Sequence, residues 1–353
     1  MRTVDRVIDM KVAVIGATGA VGREMARILD ERRFPVEEFV PLASARSAGR
    51  TVPFAGAEHE VRELTVDAAA GVDVAFVSAG AGTSRAFLPR IVEAHGTVCI
   101  DNSSAFRMDP DCPLVVPEVN PEALEGWPRP GIIAVPNCTT IAVVLAVGPL
   151  HRAAGLRSLV ISSYQAVSGA GQKGTRELAE QIEKLAGQVE SLGHPDHDAL
   201  PEGDVFAKPI AFNVVAQIGE FEPDGFTGEE IKIMAEPKKI LSAPALEVLA
   251  TSVRVPVVTG HAVSVLATFE RAIDVVEARS LLAEAPGVTL MDDPASGVFP
   301  SPLDAAGRDD AYVGRIRQVP GHDDALALFS CTDNLRKGAA LDAVQIAERL
   351  FPA

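Results

Sequence analysis

Apolar residues in the first third of the chain form short unbroken runs that alternate with stretches of helical period. In "KVAVIGATGAVGREMARILDE", Val12, Val14 and Ile15 read as a strand buried on both faces, and Met25, Ile28 and Leu29 fall on one side of a helix. A glycine turn joins the two. "EEFVPLAS" reads as a second strand and "VDVAFVSAG" (72–80) as a third, ending in small residues. "SRAFLPRIVEAHG" is a helix closed by Gly96, and "TVCIDNSS" is another strand. Such alternation over short loops predicts a parallel, doubly wound sheet.

"VPNCTTIAVVL" (135–145) breaks the rhythm. Its apolar run covers nearly every side of a helix, as expected of one sunk in a core. Asn137 is a good N-cap type, with Thr139 and Thr140 in the first turn. Cys138 then sits at a helix N-terminus, where the dipole and unbonded N–H groups favour an anion. Two readings stand at this point: a buried, inert thiol, or a nucleophile. Beyond it come longer alternating strands, "RSLVISSYQAV", "SVRVPVV", "AVSVLATFE" and "DALALFSC", with amphipathic helices "TRELAEQIEKLAG" and "VVEARSLLAEA" between them. These predict an α+β region with an antiparallel or mixed sheet and helices on one face. The final helix, "KGAALDAVQIAERLF", is expected to return to the first domain. "ESLGHPDHDALPEGD" (190–204) is the most loop-like stretch; its HxxH lacks a third ligand, so no metal site is expected.

Composition narrows the class. The 353 residues carry 32 basic and 48 acidic side chains, a formal net charge of −16. That surface repels nucleic acid and anionic membrane, so neither is expected as a partner, and an anionic substrate needs a local basic pocket. Cys99, Cys112, Cys138 and Cys331 form neither a disulfide framework nor a CxxC zinc pattern. Cys99 and Cys331 lie in strand-like runs and Cys112 in a loop. No apolar run approaches the roughly 18 residues that span a bilayer. Residues 1–9 read as an extension before a natural start at Met10 rather than a signal peptide. A cytoplasmic location is expected.

Gly16, Gly19 and Gly22 open a helix straight after a strand. Glycines there let the backbone approach a pyrophosphate, and the helix N-terminus supplies N–H groups and positive dipole. This predicts a Rossmann-type dinucleotide-binding domain. A site for NAD wants a carboxylate at the end of the second strand to hold the ribose 2′-hydroxyl. Here "ASARSAGR" offers Ser44, Arg46, Ser47 and Arg50 and no carboxylate, which suits a 2′-phosphate; NADP is the expected cofactor.

Together, "GATGAVG", "SARSAGR", "SAG" (78–80), "DNSSAFRMD", "VVPEVN", "PNCTT", "SYQAVSGAG", "EEIKI", "RVPVVTGHA" and "DNLRKGAA" resemble the aspartate-semialdehyde dehydrogenase family, in order and over nearly the whole chain. The resemblance implies an NADP-binding domain at 10–136, completed by 332–353, and a catalytic and dimerisation domain at 137–331. It implies reductive dephosphorylation of L-4-aspartyl phosphate to L-aspartate 4-semialdehyde, in lysine, threonine and methionine biosynthesis, or the reverse oxidation with inorganic phosphate. Cys138 would attack the aldehyde and carry a thioester. His261 would be the acid/base and Gln165 would orient the reacting group. Arg254 would clamp the substrate carboxylate, Glu229 would take its amino group, and Lys232 with Arg107 would hold phosphate, Asn137 lining the same region. The cofactor would lie on Gly16, Thr18, Gly19, Ala20, Val21 and Gly22, on Ser44, Arg46 and Ser47, and on Ser78, Ala79 and Gly80. Ser168, Gly169 and Asn334 would complete its contacts. A homodimer or homotetramer is implied.

Three rivals remain. N-acetyl-glutamyl-phosphate reductase shares the thioester chemistry, but its cysteine motif resembles Pro-Gly-Cys-Tyr and its substrate has no free amine for Glu229. Glyceraldehyde-3-phosphate dehydrogenase is expected to show Ser-Cys-Thr-Thr-Asn. A non-catalytic NADP-binding homologue should have lost Cys138 or His261, and both are present.

Overall fold

The computed structural model describes residues 10–352. They pack as two compact units. The first contains the chain up to Asn137, Lys239–Ser242, and the chain from Arg336 onward; the second contains Cys138–Lys238 and Ala243–Leu335.

The first unit runs β1 (Met10–Ile15), α1 (Ala20–Glu31), β2 (Val36–Ala43), β3 (Thr51–Phe54), β4 (Ala57–Glu60), β5 (Arg62–Glu63), β6 (Val74–Val77), α2 (Ala81–His95), β7 (Val98–Asp101) and β8 (Ile132–Ala134). Six of the strands form one sheet in the order β5-β2-β1-β6-β7-β8. Every neighbouring pair in it is parallel. Strand order turns back on either side of β1, so the carboxyl ends of β1 and β6 flank a topological switch point, where such sheets bind ligands. β1 is buried almost throughout because helices cover both faces. α1 buries Met25, Ala26, Ile28 and Leu29 as the sequence period predicts. β3 and β4 form a hairpin that the hydrophobic pattern did not reveal.

In the second unit α3 (Cys138–Ala154) leads into β9 (Leu156–Gln165) and α4 (Gly171–Leu185). There follow α5 (Gly228–Ile240), β10 (Glu247–Arg254), β11 (His261–Phe269), α6 (Val275–Ala283), β12 (Val288–Leu290), α7 (Pro302–Ala305), β13 (Ala311–Gln318) and β14 (Ala325–Thr332). The sheet is mixed, in the order β10-β9-β11-β14-β13-β12. α3 lies against its inner face, backed by α6, which explains a helix buried from Thr139 to Leu150. The other face shows Val160 to solvent, with Leu249 and Leu266 as its register partners on either side, and Tyr164 nearby.

Two boundaries differ from expectation. β10 starts earlier than "SVRVPVV" and ends at Arg254, before Pro256, which has no N–H to give a ladder. The stretch expected to be a loop at 190–204 is partly wound: 3₁₀ turns span Ala186–Gly193, continuing from α4, and His197–Ala199. Short polar runs without a core face settle for such local i→i+3 bonds.

The chain rejoins the first unit at Arg336, winds once as a π-turn (Arg336–Ala340), and ends in α8 (Leu341–Leu350). Lys337 in that turn is fully buried, its Nζ donating to Glu118 (2.8 and 2.9 Å), Asp342 (3.1 Å) and Gln345 (2.8 Å). Burial pushes the Asp342 carboxyl up to about 7. Burial alone would lower Lys337, but Asp342 and Glu118 hold it above the usual lysine range. No helix among the described residues is long and apolar enough to cross a membrane.

Candidate active site

In the first unit the glycine turn is set by close approach. Gly16 has φ +88°, and a Cβ there would stand 2.2 Å from the Ser78 carbonyl oxygen; a Cβ on Gly22 would stand 2.3 Å from the Gly16 oxygen. Only glycine fits at either place. The first amides of α1 have no intrahelical acceptor and no side chain caps them, so they are presented to an anion. Beside them is a cavity of about 580 Å³ lined by Gly16, Thr18, Gly19, Ser44, Arg46, Ser47, Ser78 and Ala79, with Leu64, Thr83 and Phe87. Gly80 caps α2 with φ +82°. "ASARSAGR" forms a 3₁₀ turn (Ala45–Ser47) that leaves Arg46 exposed. A carboxylate from outside that segment also reaches this cavity. Glu63 lines the same cavity, because β5 pairs alongside the end of β2 and sets Glu63 opposite Ala43.

The second unit gathers the polar residues at one end of its sheet. β9 and β10 run parallel and finish together, pairing Gln165 with Arg254; antiparallel β11 begins there with His261. Ala166, next along, serves both neighbours. Its N–H donates to His261 Nδ1 (3.1 Å), and its carbonyl accepts from Arg254 Nη1 (2.8 Å). His261 is fully buried, and burial, then the Arg254 charge, hold its pKa well below the usual histidine value. A neutral ring whose Nδ1 accepts carries its proton on Nε2. That Nε2 is buried without a hydrogen-bond partner among the described residues.

Burial also lowers the Arg254 pKa, against the attraction of Cys138 and Glu229. Cys138 is the first residue of α3 and is partly accessible. Gln165 Nε2 donates to Glu229 Oε1 (3.3 Å) and to Ser163 Oγ (3.2 Å), and Lys232 Nζ reaches Glu229 Oε2 (3.2 Å). Glu229 is buried and Lys232 half-exposed, so the pair is shielded on its acidic side only. Ser168 and Asn334, both buried, hydrogen-bond to each other, and Asn334 Oδ1 also accepts from the Gly260 N–H (3.0 Å). Gly169 stands against the catalytic candidates: a Cβ would lie 2.8 Å from Arg254 Nη1 and 3.2 Å from His261 Nε2.

Asn137 and Arg107 belong to the first unit, and both are buried. The Arg107 guanidinium donates to the Val135 (2.9 Å) and Asn102 (2.7 Å) carbonyls. Sequence reasoning missed Lys239, whose Nζ donates to the carbonyls of Arg107, Asp109 and Cys112 and so fastens the loop after Arg107. A lysine near the end of a charged helix reads as solvated, and nothing local marks it otherwise. Cys99, Cys112 and Cys331 are buried, and burial pushes each thiol up to about 12. Among the described residues no group of three His, Cys, Asp or Glu side chains could hold a metal ion.

Family comparison separates the same two parts. Residues 11–127 match the semialdehyde dehydrogenase NAD binding domain, and residues 147–337 the semialdehyde dehydrogenase dimerisation domain. The class is thus a nucleotide-binding oxidoreductase that acts on a semialdehyde. An aspartate-semialdehyde dehydrogenase of Streptomyces akiyoshiensis is 49% identical over 348 residues, covering 96% of this chain and 98% of its own. The crystal structure of aspartate semialdehyde dehydrogenase II from Vibrio cholerae complexed with ASA is 42% identical, with a TM-score of 0.89 over 97% of this chain and 98% of that one. The Candida albicans aspartate semialdehyde dehydrogenase with NADP is 25% identical, with a TM-score of 0.72 over 97% and 98%. The chain belongs to the aspartate-semialdehyde dehydrogenase family.

Proposed function

We propose that the protein interconverts L-aspartate 4-semialdehyde and L-4-aspartyl phosphate with NADP, through a thioester on Cys138, as a cytoplasmic step of lysine, threonine and methionine biosynthesis. The carrying observation is the strand-end cluster of Arg254 and His261, both bound to the Ala166 peptide, in the same unit as Cys138 at the head of α3.

The residues of the first cavity fit a dinucleotide: glycines without room for a Cβ, an uncapped helix start for the pyrophosphate, and Arg46 with Ser44 and Ser47 for a 2′-phosphate. When bound, the nicotinamide accepts or supplies the hydride. The bound NADP in the Candida albicans relative supports this choice.

Cys138 thiolate attacks the aldehyde carbon, and negative charge gathers on the oxygen. His261 Nε2–H, unpartnered at rest, donates to that oxygen, and its neutral state at pH 7 keeps the proton where the bond needs it. Nε2 is already protonated, so taking a proton from Cys138 there would require losing that hydrogen first; the geometry suits a donor. After loss of hydride the carbon is a thioester. A phosphate oxygen attacks it, with Lys232, Arg107 and Asn137 as the phosphate residues that the family resemblance implies, and the thiolate leaves with the C–S electron pair. Arg254 holds the carboxylate of the substrate, and Glu229, oriented by Gln165, takes the ammonium. Ser168 and Asn334 support the nicotinamide end, and the bare Gly169 leaves Arg254 and His261 their room. A second copy packing on the Val160, Leu249 and Leu266 face would give the homodimer that the dimerisation-domain match supports. Phosphate-dependent NADP reduction with aspartate semialdehyde, against N-acetyl-glutamate semialdehyde, tests the reading; turnover only of the latter overturns it.

A further inference from the structure

We infer that Phe206 is a positioning residue that aims the Arg254 guanidinium and so sets the preference for a carboxylate-bearing aldehyde. The inference rests on the reading of Arg254 as the carboxylate clamp.

A planar fork recognises a carboxylate only at a fixed angle. Arg254 makes one hydrogen bond among the described residues, from Nη1 to the Ala166 carbonyl, and its buried Nε has no partner. One bond leaves the plane free to swing about it. The open edge, Nε with Nη2, is therefore the edge left for a carboxylate, and something else must fix its plane. The ring of Phe206 does this, with the Arg254 Cζ over it at 5.8 Å from the centroid.

Phe206 is itself firmly placed. It is 8% exposed and packs with Val167, Leu178, Leu185 and Ile210. The bare Gly174 admits the ring, since a Cβ there would stand 2.9 Å from its tip. The backbone on either side hangs from two buried side chains of α4. Glu177 accepts the Val205 N–H, and Gln181 Oε1 accepts those of Ile210 (2.8 Å) and Ala211 (3.1 Å). A cavity of about 430 Å³ has both Phe206 and Arg254 in its wall, with Val205, Ile218 and Glu220. The segment after the 190–204 stretch thus ends as a fixed backing for the clamp.

The test compares Phe206→Leu with Phe206→Tyr. Each is assayed with aspartate semialdehyde and with 3-aminopropanal, an aldehyde lacking the carboxylate. Loss of the ring should raise the semialdehyde KM about five- to tenfold, the range of a partly desolvated cation–π contact. The kcat, the phosphate KM and use of 3-aminopropanal should stay within about twofold. Phe206→Tyr should restore the wild-type KM, and Phe206→Leu should add nothing in an Arg254→Gln background. Should the leucine variant fold poorly, Phe206→Met refills the core without a ring and takes its place. A semialdehyde KM unchanged in the ringless variants, or raised equally for both aldehydes, overturns the inference and leaves the proposed function standing. A wild-type protein inactive on aspartate semialdehyde overturns both.

Discussion

One added methyl group, Gly169→Ala, should disable the site while leaving the fold and cofactor binding nearly intact. Gly169 is not in the left-handed region, so alanine meets no backbone penalty, and the whole effect comes from space. The new Cβ would lie 2.8 Å from Arg254 Nη1 and 3.2 Å from His261 Nε2. Ordinary contact is about 3.5 Å, so the guanidinium must retreat by roughly 0.7 Å and the imidazole by a few tenths. Neither can do so freely, since Ala166 holds Nη1 by its carbonyl and Nδ1 by its N–H. Overpacking of this kind costs about 1–3 kcal/mol of stability. Misplacing catalytic groups by about 1 Å costs on the order of 100-fold in rate, so kcat/KM should fall about 30- to 100-fold. The assay is steady-state kinetics on aspartate semialdehyde, with NADP affinity by calorimetry and a melting curve. Gly187→Ala, where a Cβ meets nothing within 4 Å, is the control and should be silent. If Gly169→Ala keeps more than half its activity, the crowding argument fails. If its loss follows a matching loss of NADP affinity, Gly169 belongs to the cofactor site instead.

Four further outcomes are expected. Iodoacetamide at pH 7 should label Cys138 alone, because the other three thiols are buried and pushed up to about 12; peptide mass spectrometry showing label on Cys99, Cys112 or Cys331 would contradict this. Arg46→Ala should weaken NADP by about 1.5–3 kcal/mol, some 10- to 150-fold, and spare NAD, so an unchanged NADP/NAD ratio in titrations would remove its role. His261 is held below its unfolded pKa of about 6.5, so the unfolded state binds more protons and stability falls as pH drops below 6.5, by up to about 1.4 kcal/mol per unit; urea midpoints should show His261→Asn losing less on acidification than the parent, and parallel pH profiles would refute it. Lys337→Met strands the buried Asp342 and the partly buried Glu118 carboxyls and should cost about 3–5 kcal/mol in urea denaturation, which an unshifted midpoint would disprove.

What could be read from the chain was local. Strand, glycine turn and α1 are legible because period and turn chemistry lie within some twenty neighbouring residues, and the parallel sheet follows from their alternation. Cys138 at the head of α3 is legible for the same reason. Glu63 was not, because it reaches the cavity through pairing of β5 with β2, a long-range event with no local mark. Lys337 stands in "RKGAALDAVQ", which reads as a surface helix start, yet Glu118 from more than two hundred residues away makes it a core residue. Phe206 reads as ordinary core, and only the structure shows a charge above its ring. β3, β4 and β12 were missed because strands of three or four residues carry too few apolar positions to show a period. The longer, internal β13 was missed as well, and its register against β14 shifts between Gly314 and Arg317.

Ala166 shows why some functional positions leave no trace in composition at all. Its side chain is a methyl group, and nothing in "SYQAV" singles it out. Yet one peptide N–H selects the His261 tautomer, and the carbonyl of the same residue takes one arm of Arg254. The backbone here is fixed from outside: Val167 N–H donates to the Val257 carbonyl (2.8 Å), Ser168 N–H to that of Val258 (3.2 Å), and Gly169 N–H back to Ala166 (3.1 Å). The extended run after β10 therefore orients a donor and a clamp through peptide groups, which no side-chain substitution removes. Side chains at such a turn are free to vary only where space allows. At Gly169 it allows none, and at Ala166 the identity of the residue matters less than the path of its chain.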